Sequence, residues 1–206
     1  MNKKIIILGD RTRPRWHPVS NLEPLVEALH SKYEFTVTEE YPELTGECLE
    51  RFDACINYID NWQDRGTLAA QEAICEYVRK GGRMLTLHNG IITKSAEPLL
   101  RLNGGSFTGH ANYSRLEYRS IGTNKELNDG TESFQLFDEP YQYVFFHREA
   151  INLFLEYQYE GQWYPAGWWL PSEKGRVAYL APGHDREAFR NPLYIRQIEN
   201  ALRFIL

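Results

Sequence analysis

Cysteine is scarce. The 206 residues hold three, Cys48, Cys55 and Cys75, an odd number without metal-type spacing. Such a set builds no disulfide framework, and reduced thiols point to a cytoplasmic location. Cation clusters are missing too: the net charge is −5, and no basic run or Lys/Arg stripe occurs. Holding phosphates takes several cations on one face, so nucleic acid is excluded as an expected partner. Long apolar runs are also absent. The opening one, Ile5-Ile6-Ile7-Leu8, stops at Gly9-Asp10. That is far short of the ~20 residues a membrane helix needs, and too short for a signal-peptide core. No membrane association is expected. Low-complexity tracts, Pro/Gly/Ser linkers and internal repeats do not occur either, which leaves one domain over residues 1–206. With 42% hydrophobic and 25% charged residues, the composition is that of an ordinary globular chain.

What is present reads as alternating strands and helices. Residues 4–9 form a continuous apolar run, the pattern of a strand buried on both faces in a parallel sheet. A helix is predicted over 20–31 from Val19, Leu22, Val26, Leu29 and Tyr33, with Ser20-x-x-Glu23 as a capping box. Phe35 and Val37 mark a second strand, residues 53–59 a third and 83–87 a fourth. Between the last two, residues 67–80 carry the clearest helix. Thr67 caps it, Ala70, Ile74, Tyr77 and Val78 face inward, and Arg79-Lys80 before Gly81-Gly82 closes it. This order predicts right-handed crossovers and a parallel sheet. The second half changes character: strand-like aromatic runs at 116–121, 143–146, 153–159, 163–170 and 176–181 read as β-additions. A final helix starts at Asn191-Pro192, with Ile195, Ile198, Leu202 and Ile205 in one stripe.

Open parallel sheets bind ligands beyond the C-terminal ends of their strands. That rule selects the loops 9–18, 57–65, 88–95 and 182–185, which bring in Asn57, Tyr58 and Asp60. His17, His88 and His184 all fall just past predicted strands, and His110 follows the run Gly104-Gly105-x-x-x-Gly109. A histidine bonded to a backbone carbonyl at a strand end is common, but several on one rim suit acid–base work or metal ligation. No His-Glu-x-x-His, paired Cys or short-spaced His pair occurs, so no cofactor is predicted. A divalent metal stays open, with His17, His88, His110 and His184 as ligand candidates that would assemble only in space.

Leu85-Thr86-Leu87-His88-Asn89-Gly90 resembles a nucleophile elbow, the strained strand-to-helix turn that lifts one side chain to the sheet top. The lifted residue here is His88, not Ser or Cys. No cysteine sits at a strand end before a turn, so a Cys-His-Glu amidotransferase mechanism lacks its nucleophile. In Asp138-Glu139-x-Tyr141 the carboxylates either cap a solvated turn or enter the pocket. The Gly104–His110 run lacks the Lys-Ser/Thr of a phosphate loop and reads as a backbone turn near the ligand. Trp168-Trp169 reads as packing, and Arg11, Arg13 and Arg15 as either an anion site or a solvated surface.

Several stretches together resemble the ThuA (trehalose-utilisation) family. They are Gly104-Gly-Ser-Phe-Thr-Gly-His110, Asp138-Glu-Pro-Tyr141, Pro165-Ala-Gly-Trp168, Gly175-Arg-Val-Ala-Tyr-Leu-Ala-Pro-Gly-His184 and the ending from Asn191-Pro192 to Asn200-Ala201-Leu202. The resemblance implies an α/β three-layer sandwich, flavodoxin-like and class I glutamine amidotransferase-like, mostly parallel with added β-strands. It also implies carbohydrate catabolism beside oxidoreductases that make keto-sugars. The expectation is therefore a sugar or keto-sugar isomerase, lyase or hydrolase, not a glutamine amidotransferase. Its catalytic residues are His88, His184 and Glu139, and its substrate-binding residues His17, Asn57, Tyr58, His110 and Tyr141. The alternatives are a non-catalytic sugar-binding or regulatory module and a metal-dependent hydrolase. The aromatic second half offers a homodimer face, though core packing accounts for it equally well.

Overall fold

The computed structural model describes residues 2–92 and 97–206. Its elements follow in chain order: β1 (Lys3–Gly9), α1 (Glu23–Leu29), β2 (Tyr33–Thr38), α2 (Gly46–Leu49), β3 (Ala54–Tyr58), α3 (Trp62–Arg65), α4 (Leu68–Arg79), β4 (Arg83–Leu87) and α5 (Glu97–Asn103). The second half adds β5 (Gly105–His110), β6 (Ser114–Ser120), β7 (Ser133–Asp138), β8 (Tyr141–Phe145), β9 (Asn152–Tyr159), β10 (Gln162–Ser172), β11 (Gly175–Leu180) and α6 (Pro192–Ile205). A nine-stranded sheet runs in the order β2-β1-β3-β4-β11-β10-β9-β6-β7, while β5 and β8 pair in a separate ribbon.

Strands β2, β1, β3, β4 and β11 run parallel, and the remaining neighbours pair antiparallel. The burial of each strand explains its sequence. All five residues of β3 are buried, as expected where helices cover both faces, whereas β7 alternates exposed and buried. From β1 the chain crosses to β2 on one side, and from β3 to β4 on the other. With right-handed connections this puts α1 and α4 on opposite faces. Helix α6 packs with α1, and α2 and α5 pack with α4, completing the three layers. The crossover direction reverses between β1 and β3, and the loops leaving these two strands border the crevice where such folds take ligands.

The two long helices begin where their capping residues stand. Thr67 Oγ1 accepts the Ala70 N–H at 3.1 Å, and Asn191 Oδ1 accepts the N–H groups of Leu193 and Tyr194 at 2.9 and 3.2 Å. Other expectations need correction. The Ser20/Glu23 capping box does not form: Val19–Leu22 is a 3-10 turn without a side-chain cap, and Glu23 pairs instead with Arg186 at 2.7 Å. The run Gly104–His110 is not a turn, because it supplies β5, which lies against β8 with a bulge before Gly109; a Cβ at Gly105 would sit 3.2 Å from the Val144 carbonyl of β8. Strand β7 was not anticipated. Its alternation is real, but Phe137 is on the exposed side and blurs it. Ile195 lies at the edge of the α6 stripe, half-buried, while Gln197 and Asn200 are buried.

Candidate functional site

The loop after β1 is tied to the loop after β3 through Asp10, which is fully buried. One of its carboxylate oxygens accepts the Asp60 and Asn61 N–H groups at 2.9 and 2.8 Å, and the other accepts the Tyr41 hydroxyl at 2.8 Å and Arg65 at 3.0 Å. Asp60, held in this way, takes the backbone N–H groups of Arg15 and Trp16 and meets His17 Nδ1 at 2.6 Å. A carboxylate only accepts, so Nδ1 carries the proton and His17 Nε2 faces the crevice as a lone pair. Burial works against ionising Asp60, but its bonds from His17 and the backbone outweigh it and hold the carboxyl below its usual range.

His88 follows β4 in the left-handed region at φ 40°. The turn can sit this close to β3 only because residue 90 is glycine, since a Cβ there would lie 2.4 Å from the Asn57 carbonyl. His88 is fully buried, stacks on Tyr141 at 4.2 Å and 29°, and gives its Nδ1 proton to the Ala181 carbonyl at 2.7 Å. Its Nε2 is buried without a hydrogen-bond partner. Burial pushes the imidazole down to about 4, against the pull of Glu139.

Glu139 arrives from the turn between β7 and β8, aimed by its neighbour. Buried Asp138 accepts the Glu139 N–H at 2.8 Å and the Gly183 N–H at 2.7 Å, so one carboxylate positions both this turn and the 182–184 loop. Burial pushes Asp138 up to about 7, opposed by these bonds. Glu139 Oε2 lies 3.5 Å from His88 Nε2 and 3.2 Å from His184 Nδ1, and that same nitrogen is 3.2 Å from His17 Nε2. Burial disfavours the Glu139 charge, yet the hydrogen bond from His184 and the closeness of the His88 ring outweigh it and hold the carboxyl well below its usual range. The hydrogen bond to Glu139 raises His184 in turn. One donor atom each from His17, His88, Glu139 and His184 therefore lies within 4.8 Å of the others.

Three of the four, His17, Glu139 and His184, form the floor of a cavity of about 330 Å³, near the lower end of the ~300–1,000 Å³ usual for small-molecule sites, while His88, expected to be catalytic, is fully buried beneath them and does not line it. His110 and Tyr141 line it, with His110 Nδ1 3.7 Å from Glu139 Oε1, on the far side of the carboxylate from the other imidazoles. His110 thus stands outside the four-residue group that its ligand candidacy assumed. Asn57 and Tyr58 do not line the cavity. Asn57 bonds Gly90 O and Ile59 N–H, and the buried Tyr58 hydroxyl donates to Gly183 O at 2.7 Å, so both brace loops from below. The sequence does not single out Asp60 as a partner for His17, nor Trp16, Gln63 and Phe107 as cavity walls; of the three arginines offered as an anion site, Arg15 lines the cavity and Arg11 and Arg13 do not. Asp60 had a usable signal in its place just past β3. Of the loop 88–95, residues 93–95 lie outside the described residues.

The sequence model of the ThuA family, described as trehalose utilisation, matches residues 4–205. The chain belongs to the ThuA family. No curated protein matches it in sequence. A ThuA-like protein from Bacteroides uniformis superposes with a TM-score of 0.81 at 18% identity, covering 98% of this chain and 91% of that one. A cytoplasmic protein from Salmonella typhimurium LT2 gives 0.69 at 13%, covering 98% and 99%. A chain of PurLQS from Thermotoga maritima gives 0.65 at 12%, covering 100% of both. At such identities the likeness is one of fold, and it sets this ThuA-family chain on the class I amidotransferase-like sandwich. Its three cysteines lie in α2, β3 and α4, away from the elbow occupied by His88. Among the described residues no helix is long and apolar enough to cross a membrane.

Proposed function

We propose that this ThuA-family protein acts in the cytoplasm on a sugar or keto-sugar, by proton transfer at the His/Glu floor of the cavity. The observation that carries the reading is the convergence of three imidazoles and one carboxylate under an open pocket, with a histidine where an amidotransferase would need its nucleophile. Glu139, kept ionised, is the base for a proton next to a carbonyl or on a hydroxyl. His184, whose charged form is favoured by the hydrogen bond to Glu139, is the acid facing the oxygen that gains charge. His88 stays neutral and lies buried beneath the cavity, so its role is to back Glu139 and the Tyr141 wall rather than to touch the substrate or donate a proton. His17 and His110 orient further hydroxyls, and Tyr141 forms an apolar wall against a ring face. At the mouth, Trp16 is 78% exposed beside Arg15 and Gln63, a flat platform flanked by hydrogen-bonding groups that suits a second sugar ring.

The test is a panel of disaccharides and keto-sugars followed by NMR. Turnover that falls at least a hundredfold in E139Q and H184A is the expected result. Turnover untouched by both substitutions overturns the assignment. Ligand-induced thermal stabilisation with no product across the panel instead makes the protein a sugar-binding module.

A further inference from the structure

We infer that His17, His88, Glu139 and His184 form a binding site for a divalent metal ion of the zinc class. The identity of any organic ligand completing the coordination rests on the sugar reading above; the ion site itself does not.

Three features of the cluster point the same way. First, the spacing fits. Ligands about 2.0–2.1 Å from a tetrahedral ion lie roughly 3.3 Å apart. Of the six separations, His17 Nε2 to His184 Nδ1, His184 Nδ1 to Glu139 Oε2 and Glu139 Oε2 to His88 Nε2 are 3.2, 3.2 and 3.5 Å, and the other three stay within 4.8 Å, a span that small side-chain shifts around an ion would close. Second, the outer nitrogens are already committed. His17 Nδ1 is bound by Asp60 at 2.6 Å and His88 Nδ1 by the Ala181 carbonyl at 2.7 Å, which fixes both rings with a bare Nε2 turned inward. Orienting carboxylates and carbonyls behind ligating histidines do this in metal sites. Third, the hydrogen bonds within the cluster leave a gap. The Nδ1 proton of His184 can serve Glu139 and His17, but it does not reach His88 Nε2, a buried acceptor that faces a carboxylate oxygen and has no donor. Two electron-rich atoms facing each other call for a cation between them. His88 is also held at φ 40°, a conformation that costs energy at a non-glycine residue and is kept where the surrounding structure enforces it.

Imidazole with one carboxylate selects a borderline ion such as Zn²⁺ over Mg²⁺ or Ca²⁺, which prefer all-oxygen shells. The cavity lies above the cluster, so a five-coordinate ion would have its fifth position within reach of an oxygen of a small ligand in that cavity. Glu139 and His184 cannot ligate an ion and transfer protons at once, so with the ion bound the base and acid roles given to them would lapse and the ion would supply Lewis-acid activation of a ligand oxygen.

The experiment uses the full chain, stripped with chelator and titrated with Zn²⁺ alone by calorimetry and with Co²⁺ alone by visible absorption. The expected result is about one ion per chain and a Co²⁺ spectrum of a four- or five-coordinate nitrogen–oxygen site. E139Q and H184A should each weaken Zn²⁺ binding at least tenfold, and D60N by about 10–100-fold through His17. H147A, at an exposed histidine outside the cavity, should bind as wild type. Circular dichroism monitors folding, and since the fully buried His88 is the position where a variant can unfold, E139Q and H184A carry the test. Less than a tenth of an equivalent bound by wild type overturns the inference, as does affinity unchanged in both variants. Sugar turnover by wild type that binds no Zn²⁺ overturns the inference and leaves the sugar reading standing. One tight ion with no response to any sugar does the reverse.

Discussion

Trp16 and Asp138 mark two ends of what a single side chain does here. Trp16 is 78% exposed and packs against little, so W16A should leave stability within about 0.5 kcal/mol of wild type. If a second sugar ring stacks on it, W16A should raise KM for a disaccharide several-fold, from ~0.5–1.5 kcal/mol of lost stacking, with kcat unchanged. Kinetics on a disaccharide and the matching monosaccharide check this, because only the disaccharide should respond. Asp138 is fully buried and joins two loops by backbone hydrogen bonds. D138A strips acceptors from two buried N–H groups, at a cost of about 1–3 kcal/mol each when left unpaired. It should also release Glu139 and His184 from register. Denaturant melts and turnover should fall together; loss of one without the other would separate the roles.

Among the elements, β1 and β3 carry the site between them, and their pairing has an electrostatic clasp. Asp53 accepts from Lys3 Nζ at 2.8 Å and from the Lys4 N–H at 2.9 Å. The Lys3 bond, with the Lys4 N–H, lowers the Asp53 carboxyl despite some burial. Since the folded value is below the ordinary one near 3.8, the stabilisation is complete above that pH and is lost as pH falls through the folded value. The Tm difference between wild type and D53N should therefore be constant near neutrality and shrink below about pH 4. The stability behind it should be less than ~1 kcal/mol, because the pair is partly exposed. A difference independent of pH would contradict the charge origin. Helix α4 tests its cap in a similar way: T67A should cost about 1 kcal/mol and leave turnover intact, read from urea melts and the NMR assay.

At the scale of the whole molecule, the cluster bridges elements from both halves of the chain. His17 and His184 are 167 residues apart in sequence and 3.2 Å apart in space. An ion held there would cross-link the loops after β1, β4, β7 and β11 only in the folded state. At a hundredfold excess over its dissociation constant it adds about 2.7 kcal/mol of stability. For a chain of this length that raises Tm by roughly 5–11 °C. Thermal melts with Zn²⁺ and with chelator should differ by this amount in wild type and by little in H184A. Identical melts in wild type would count against the ion.

The alternation of β1, α1, β2, β3, α4 and β4, the parallel core, the caps at Thr67 and Asn191 and the absence of a nucleophile at the elbow were all legible in the chain. Each is a local signal: an apolar run, a helical period, one side chain beside its own backbone. The histidines at strand ends were legible for the same reason, since a strand's end places the next residue on the rim. Sequence pattern could not tell that Asn57 and Tyr58 turn beneath the rim, because β3 is buried on both faces and carries no alternation. It also missed β5 behind its glycines and Asp60 behind His17. Only the tertiary structure decided which rim residues meet, because the distances within the cluster depend on where long crossovers return, and no periodicity along the chain records that.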